Sequence, residues 1–578
     1  MQNLIIISFL FFTISVGVYT YLKIKGNNRK NLSKDSYFLG GRSLTGAVIG
    51  SSLLLANLSA ANFVGMSAQA YSGNMSNMAY EVTSGLVLVV VAMFLLPRYL
   101  KQGITTVPDF LEDRYDSGVK KTVSILFLLL YVLNLLPTTL YSGAIALSQI
   151  FDLQNAFGIS YEASIWITVW VIGIIGFFYA IIGGLKAIAI ADTLNGIALA
   201  IGGLMVPFFG LLYLGKGSFS EGLSNFVTAS PEKLNAVGAA SDPVPFGAAV
   251  TGLLLVNLYY WGTDQSIIQR ALAAKNLKEG QKGVILAGFL KVMTPFIVII
   301  PGIIAFQIFG GAGANPDLMY SKLVNVVLPK PLTGFFAAAM FGAVLSTFTG
   351  VLNSASTLFA LNVYAPIFGK GKSDSEVVAK AKYFGIIIAI VSMFIGPFIM
   401  YVPQGLFQYL QTVNGYFNVP IFAVVFIGYV TKRVPAIAAK ISLVFFVGTY
   451  GLLQLVIKPD LNFLYQLAIL FVASCVLMLI IGKIKPRETA YVMKTKNVVD
   501  VEPWEHRHAA GGVVVFLMIS MYIVFSKLGL ASGNGITIYT FMYISILGIL
   551  VALSVMYIKR KALDKDKKTK TKDYSNVS

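Results

Sequence analysis

The chain has 578 residues, 56% of them hydrophobic and only 12% charged, with 44 Lys+Arg against 25 Asp+Glu and a formal net charge of +19. A soluble protein carries roughly 25% charged residues, so these totals exclude a water-soluble globule and point to a chain that crosses lipid repeatedly. A single cysteine, Cys475, excludes a disulfide framework and thiolate metal clusters.

Apolar runs repeatedly reach the roughly 20 residues that span a bilayer as a helix. Runs such as TVSILFLLLYVLNLLPTTLYSGAIAL lack the short alternation of barrel strands. The first run, LIIISFLFFTISVGVYTYLKIKG, has its charges behind it and no small-residue cleavage site, so it is expected to persist as a first helix. Fifteen spans are predicted in chain order, near 2–22, 44–70, 77–97, 123–150, 161–184, 187–214, 245–266, 284–308, 332–366, 383–402, 404–430, 434–457, 462–482, 511–530 and 536–558.

With the N-terminus placed outside, the outer connectors carry only Lys216, Lys233, Lys322, Lys330, Lys458 and Lys527. Lys291 is left within the membrane, and every other Lys and Arg falls inside or, as Lys440 does, near the inner end of a span. That asymmetry is the positive-inside rule, and it predicts an external N-terminus and a cytoplasmic C-terminus in the plasma membrane. The basic excess is therefore topological, and nucleic acid is not an expected partner.

No connector is long enough for a folded soluble domain; the longest are 215–244, 309–331 and 483–510, and the Lys-rich tail 559–578 suits an anionic leaflet. There is no GxxxxGK[ST] loop, which argues against an ATP-driven pump. His506 and His508 lie in the polar connector VEPWEHRH, without the further ligands zinc needs. Neither lies in a span, so an enzyme and a cofactor are not expected.

Spans two to six (44–214) and seven to eleven (245–430) form two blocks of five. An odd number sends the second block into the membrane in the opposite sense, the topology of an inverted repeat. Each block opens with a polar-interrupted span, LLLANLSAANFVG and GLLLVNLYYWGTDQ. Paired interruptions mark a transporter's central site. Small-residue helix packing explains the Ala and Gly of these segments, but not their asparagines. The expected organisation is a peripheral span and linker (1–43), two five-helix repeats, four peripheral spans (431–558) and the basic tail.

Three ionisable residues sit where lipid would penalise them: Glu81, Asp192 and Lys291. Each costs about 2.5–3.5 kcal/mol at a span centre, so such residues face the bundle interior and serve function; Glu81 and Asp192 near span ends would snorkel instead. Span nine carries Ser346, Thr347, Thr349, Asn353, Ser354, Ser356 and Thr357. Neutral hydroxyls beside unwound backbone near 55–58 suit a hard monovalent cation such as Na⁺.

On these residues the chain resembles the sodium/solute symporter family, and within it the sodium/sugar cotransporters. The resemblance runs from about residue 36 to 430 and includes SYFLGGRSLTGAVIGSSLLLANLSAANFVGMS, TTVPDFLEDRYD, YAIIGGLKAIAIADTLNG, NLYYWGTDQSIIQRALAAKNLKEGQKG, FLKVMTPFIVIIPGI and LNSASTLFALNVY. It implies an all-α polytopic membrane protein with an inverted five-helix repeat core of the LeuT-like kind. It also implies a Na⁺ site from the carbonyls of Leu55, Leu58 and Ala343 with the hydroxyls of Ser346 and Thr347. A second Na⁺ site would use Asp192 and Thr349, although Gly350 stands where animal sugar cotransporters have a serine.

The family's sugar site maps to Asn57, Glu81, Ser84, Asn257, Lys291 and Gln411, with Tyr260 stacking under the ring. Met66, Tyr80 and Phe407 match the residues that close the site from outside. Asn62 departs, standing where the bacterial galactose transporter has Gln. The expectation is Na⁺-coupled import of a sugar or sugar-like polyol by alternating access. The rival is a symporter of the same fold for a carboxylate such as an amino acid or sialic acid, for which Lys291 would be the counter-charge. A channel is disfavoured because no ring-forming filter loop is present.

Overall fold

The computed structural model describes residues 2–25, 39, 41–311, 315–368, 373–402, 406–496 and 498–575, with side chains left aside at 2, 21, 23–25, 180–192 and 562–575. Among these residues every regular element is a helix, and an isolated β-bridge joins Leu44 to Ala274. Every predicted span is occupied. Twelve helices are long and apolar enough to cross a membrane, two further spans are bent pairs, and Phe246–Gly262 is a shorter apolar helix in the seventh place.

Spans five and six differ from expectation. The backbone is helical from Tyr161 to Leu214, across the connector predicted near Lys186, with apolar windows at Tyr161–Tyr179 and Thr193–Leu214. IIGGLKAIAIAD offers no proline to stop a helix there.

Span nine, Lys330–Phe368, lies at the centre, with 89% of its most apolar window buried; the window of the last span, Ile538–Lys561, is not buried at all. Span one packs on span nine, where Gly334 lets the backbone of Ile5 approach so closely that a Cβ would lie 2.2 Å from its carbonyl oxygen. Span fourteen, Arg507–Val524, covers spans three and eight, with Val514 against Gly85.

The two bends have chemical causes. In span two the helix Gly46–Asn57 stops and resumes through a π-helical turn, Asn62–Met66, at an angle of 59°. The Ser59 N–H, which would close the helical bond on Leu55, donates to the Asn57 carbonyl at 2.8 Å. The Asn62 N–H likewise turns from Leu58 to Ser59, at 3.0 Å. In span eight Pro295 has no N–H for the Lys291 carbonyl, which instead accepts the Thr294 N–H at 3.2 Å and its hydroxyl at 2.6 Å. The resulting bend of 43° sits next to Lys291. Beyond span two, Lys233 caps the helix end, its ammonium donating to the carbonyls of Tyr71 (2.9 Å) and Gly73 (2.7 Å) over the Phe306 ring.

On the face that carries most of the basic connectors, residues 485–496 and 498–506 run as an extended strap. The Arg487 and Tyr491 N–H groups donate to the carbonyls of Arg433 (2.8 Å) and Lys432 (2.9 Å), and the Lys496 N–H to that of Lys101 (3.0 Å). Further on, the Asp500 carbonyl accepts the Leu277 N–H (2.9 Å) and the Trp504 N–H reaches Gln281 (2.7 Å).

Candidate functional site

A cavity of about 110 Å³ lies where the span-two break meets spans three, four, seven, nine and eleven. Of the sequence-predicted residues, Asn57, Asn62, Glu81, Ser84, Asn257, Tyr260 and Gln411 line it. Tyr80 and Phe407 do so as well, together with Thr347.

Lys291 does not reach the wall. It is fully buried, and its ammonium is held by the Asn57 side-chain carbonyl and the Glu81 carboxylate. The same Glu81 oxygen accepts the Thr294 hydroxyl, while the other accepts the Asn62 amide at 3.3 Å. Asn62 is fixed in turn by the Ser59 hydroxyl, which donates to its carbonyl at 3.2 Å. An unpaired charge in such a place would carry a desolvation penalty of several kcal/mol. Here each charge has an opposite partner and neutral dipoles around it. The expected counter-charge for a ligand is thus spent inside the protein, and Glu81 is the group the cavity meets.

The remaining walls are neutral. Asn257 donates to the Thr83 hydroxyl at 2.9 Å and Ser84 to the Tyr80 carbonyl at 2.8 Å. Tyr260 sets its ring edge-on to Trp261 and its hydroxyl against Asn57. Among the described residues lining the cavity there is no Lys, Arg or His, and Glu81 is the sole acid.

The three residues expected to close the site are packed together. Phe407 meets Tyr80 edge-to-face with centroids 5.2 Å apart and lies over Gly65, where a Cβ would come within 2.8 Å of the Phe407 Cβ. Met66 is buried beside them, its sulfur accepting from Asn62 at 3.6 Å. Beyond Phe407 a second cavity, of about 450 Å³, is lined by Gln69, Tyr141, Tyr161 and Asp317.

Next to the cavity, Thr347 donates to the Ala56 carbonyl at 3.4 Å, setting span nine against the break that turns the helical donors away from Leu55 and Leu58. Ala343 and Ser346 are buried on the preceding turn. Such a group of neutral oxygens is the donor chemistry a hard monovalent cation takes. The Thr349 hydroxyl is turned onto its own helix, donating to the Leu345 carbonyl at 2.7 Å. The Asp192 side chain lies outside the described residues.

Several residues escaped the sequence inventory. Asp264 is buried and accepts from the hydroxyls of Tyr131 (2.9 Å), Tyr259 (3.2 Å) and Ser266 (2.5 Å), tying span four to span seven. Its signal was the Asp before a helix, since it also caps Gln265–Leu272. Thr294 follows Lys291 and Asn414 follows Gln411 by three residues, spacings that place each on its predecessor's face, and Asn418 lies just past the end of Leu406–Gly415.

A family model for the sodium:solute symporter family matches residues 37–445. An Escherichia coli (strain K12) protein described as "Uncharacterized symporter YidK" is 45% identical over 529 residues, 92% of each chain. The sodium/glucose cotransporter of Vibrio parahaemolyticus is 31% identical, covering 75% of this chain and 81% of its own. The sodium/myo-inositol cotransporter of Mus musculus is 28% identical, covering 70% and 60%. In fold, the chain is similar to a Na⁺-coupled sialic acid symporter solved in a substrate-bound outward-open state, with a TM-score of 0.70 at 20% identity over 84% of this chain and 99% of that one.

Proposed function

The chain belongs to the sodium:solute symporter family and is a Na⁺-coupled symporter, and we propose that its substrate is a neutral sugar or sugar-like polyol, imported by alternating access. The observation that carries this reading is the cavity wall, with amides, hydroxyls, one tyrosine face and the carboxylate of Glu81, but no cation among its described residues. Hydroxyl groups both donate and accept, so they satisfy Glu81 and the amides together, and Tyr260 offers an apolar face to a pyranose ring. A carboxylate substrate would confront Glu81 while Lys291 stays sealed behind it. The glucose and inositol cotransporters among the relatives agree with this choice.

In this reading Na⁺ binds the carbonyls of Leu55, Leu58 and Ala343 and the hydroxyls of Ser346 and Thr347. The ion and the substrate then share one break in one helix, since Asn57 lies between the two ion-binding carbonyls. Sodium orders the break and holds Asn57 in place for substrate before the substrate arrives, which is how binding of one ligand raises affinity for the other. Met66, Tyr80 and Phe407 form the extracellular gate, and the two blocks 44–214 and 245–430 rock about the cavity, with the N-terminus outside and the basic face in the cytoplasm of a plasma membrane. One Na⁺ moving through about 100 mV contributes about 2.3 kcal/mol, and a tenfold sodium gradient about 1.4 kcal/mol. The sum supports accumulation of roughly a few hundred-fold per ion.

The test is uptake of labelled D-galactose, D-glucose and myo-inositol into proteoliposomes. Accumulation of at least one, only under an inward Na⁺ gradient, is expected; accumulation of sialic acid or an amino acid alone overturns the polyol reading.

A further inference from the structure

The span-eleven wall of the cavity holds a row of amides, and one of them has an unmet hydrogen-bonding need. Span eleven breaks between Leu406–Gly415 and Asn418–Val430. Gly415 lies there close under Tyr450, whose hydroxyl a Cβ would approach to 2.6 Å. The break brings Gln411, Asn414 and Asn418 to the cavity together.

The first two are locked. Asn134 of span four, fully buried, donates to the Asn414 side-chain carbonyl at 2.9 Å and to the Leu410 carbonyl at 3.2 Å. Asn414 passes its own N–H to the Gln411 carbonyl at 3.4 Å, which turns the Gln411 amide outward to the Tyr80 hydroxyl. Asn418 is 3% exposed, borders the cavity, and its carbonyl oxygen has no donor. A buried acceptor without a donor destabilises the fold, and native structures keep few of them without a functional reason.

We propose that Asn418 is a specificity-determining substrate residue, whose carbonyl accepts a hydrogen bond from one hydroxyl of the bound polyol. The proposal rests on the polyol reading above. A polyol so bound is held from two sides, by Glu81 on span three and by Asn418 on span eleven. Asn134 and Asn414 are positioning residues that keep the row from collapsing onto Asn418 and satisfying it internally.

The experiment uses the full chain in proteoliposomes. Whichever of D-galactose, D-glucose and myo-inositol is accumulated is set in competition against its monodeoxy analogues, for wild type, Asn418→Leu and Asn418→Ala. In wild type, one analogue is expected to compete about tenfold more weakly than its parent, the scale of one lost hydrogen bond. In both variants the parent weakens to match that analogue, and the analogue itself weakens no further, the non-additivity that marks a direct pair. The other analogues keep their wild-type ranking, which shows that the variants fold. If every analogue weakens equally on substitution, or the tenfold penalty survives it, Asn418 does not touch substrate and the polyol reading stands alone. If wild type accumulates no polyol, that reading and this one fall together.

Discussion

The ammonium of Lys291 and the carboxylate of Glu81 form an ion pair with both residues withdrawn from solvent, and only the acid borders the cavity. Breaking a buried pair from one side leaves an uncompensated charge and costs about 3–5 kcal/mol. Lys291→Met is therefore expected to lower the melting temperature sharply and abolish uptake. Adding Glu81→Gln to it restores most of the stability and none of the transport. A double variant that transports normally would show that Glu81 is only a structural counter-ion.

Removing the hydroxyls of Ser346 and Thr347 together by alanine takes two of the proposed ligands from Na⁺. Sodium-driven accumulation is expected to disappear while the folded protein survives, as judged by its thermal melt. Unaltered uptake under the same gradient would remove the ion site from this region.

Gly65 allows Phe407 to close over it. A methyl group there overpacks the closed form of the proposed gate, a kind of change that costs about 1–3 kcal/mol. Gly65→Ala is expected to slow uptake at least about fivefold, the rate factor for roughly 1 kcal/mol. Adding Phe407→Leu should recover part of the rate. Equal rates for wild type and Gly65→Ala would mean that this contact is not made during turnover.

Asp317, in the cavity beyond Phe407, is held above the usual aspartate range by burial, against a smaller opposing pull from the Leu406 N–H. The folded state therefore binds its proton more tightly than the unfolded chain does. Its contribution to stability is full below the ordinary aspartate pKa and is lost as pH rises through the raised one. Asp317→Asn is expected to remove that part of the pH dependence of the melting temperature, stabilising the protein most at neutral pH. An unchanged slope would contradict it.

The fifteen spans and the broken second helix were legible because lipid imposes length, charge side and the cost of each polar intrusion. Glu81 and Lys291 were legible for the same reason. Their relationship was not, since a helical period says which face a residue shares and not which partner lies across from it or how deep. Lys291 thus looked available to a substrate and proves to be enclosed behind Asn57 and Glu81. Asp264 was missed although GTDQ lies at the end of the predicted seventh span, because only tertiary packing buries it among Tyr131, Tyr259 and Ser266. The continuous helix through Lys186 was missed because a lysine between apolar runs was read as a turn.

By length, the 485–506 connector is the natural place to graft a tag or a fluorescent domain, as loop insertions usually cost little. Its hydrogen bonds make it a poor one. One strand of chain is pinned in register to Arg433, Lys432, Lys101 and Leu277, residues next to the ends of spans three, eight, eleven and twelve. A domain placed midway would let those ends drift apart, so a labelled protein would report the behaviour of a transporter with its strapped face unstitched.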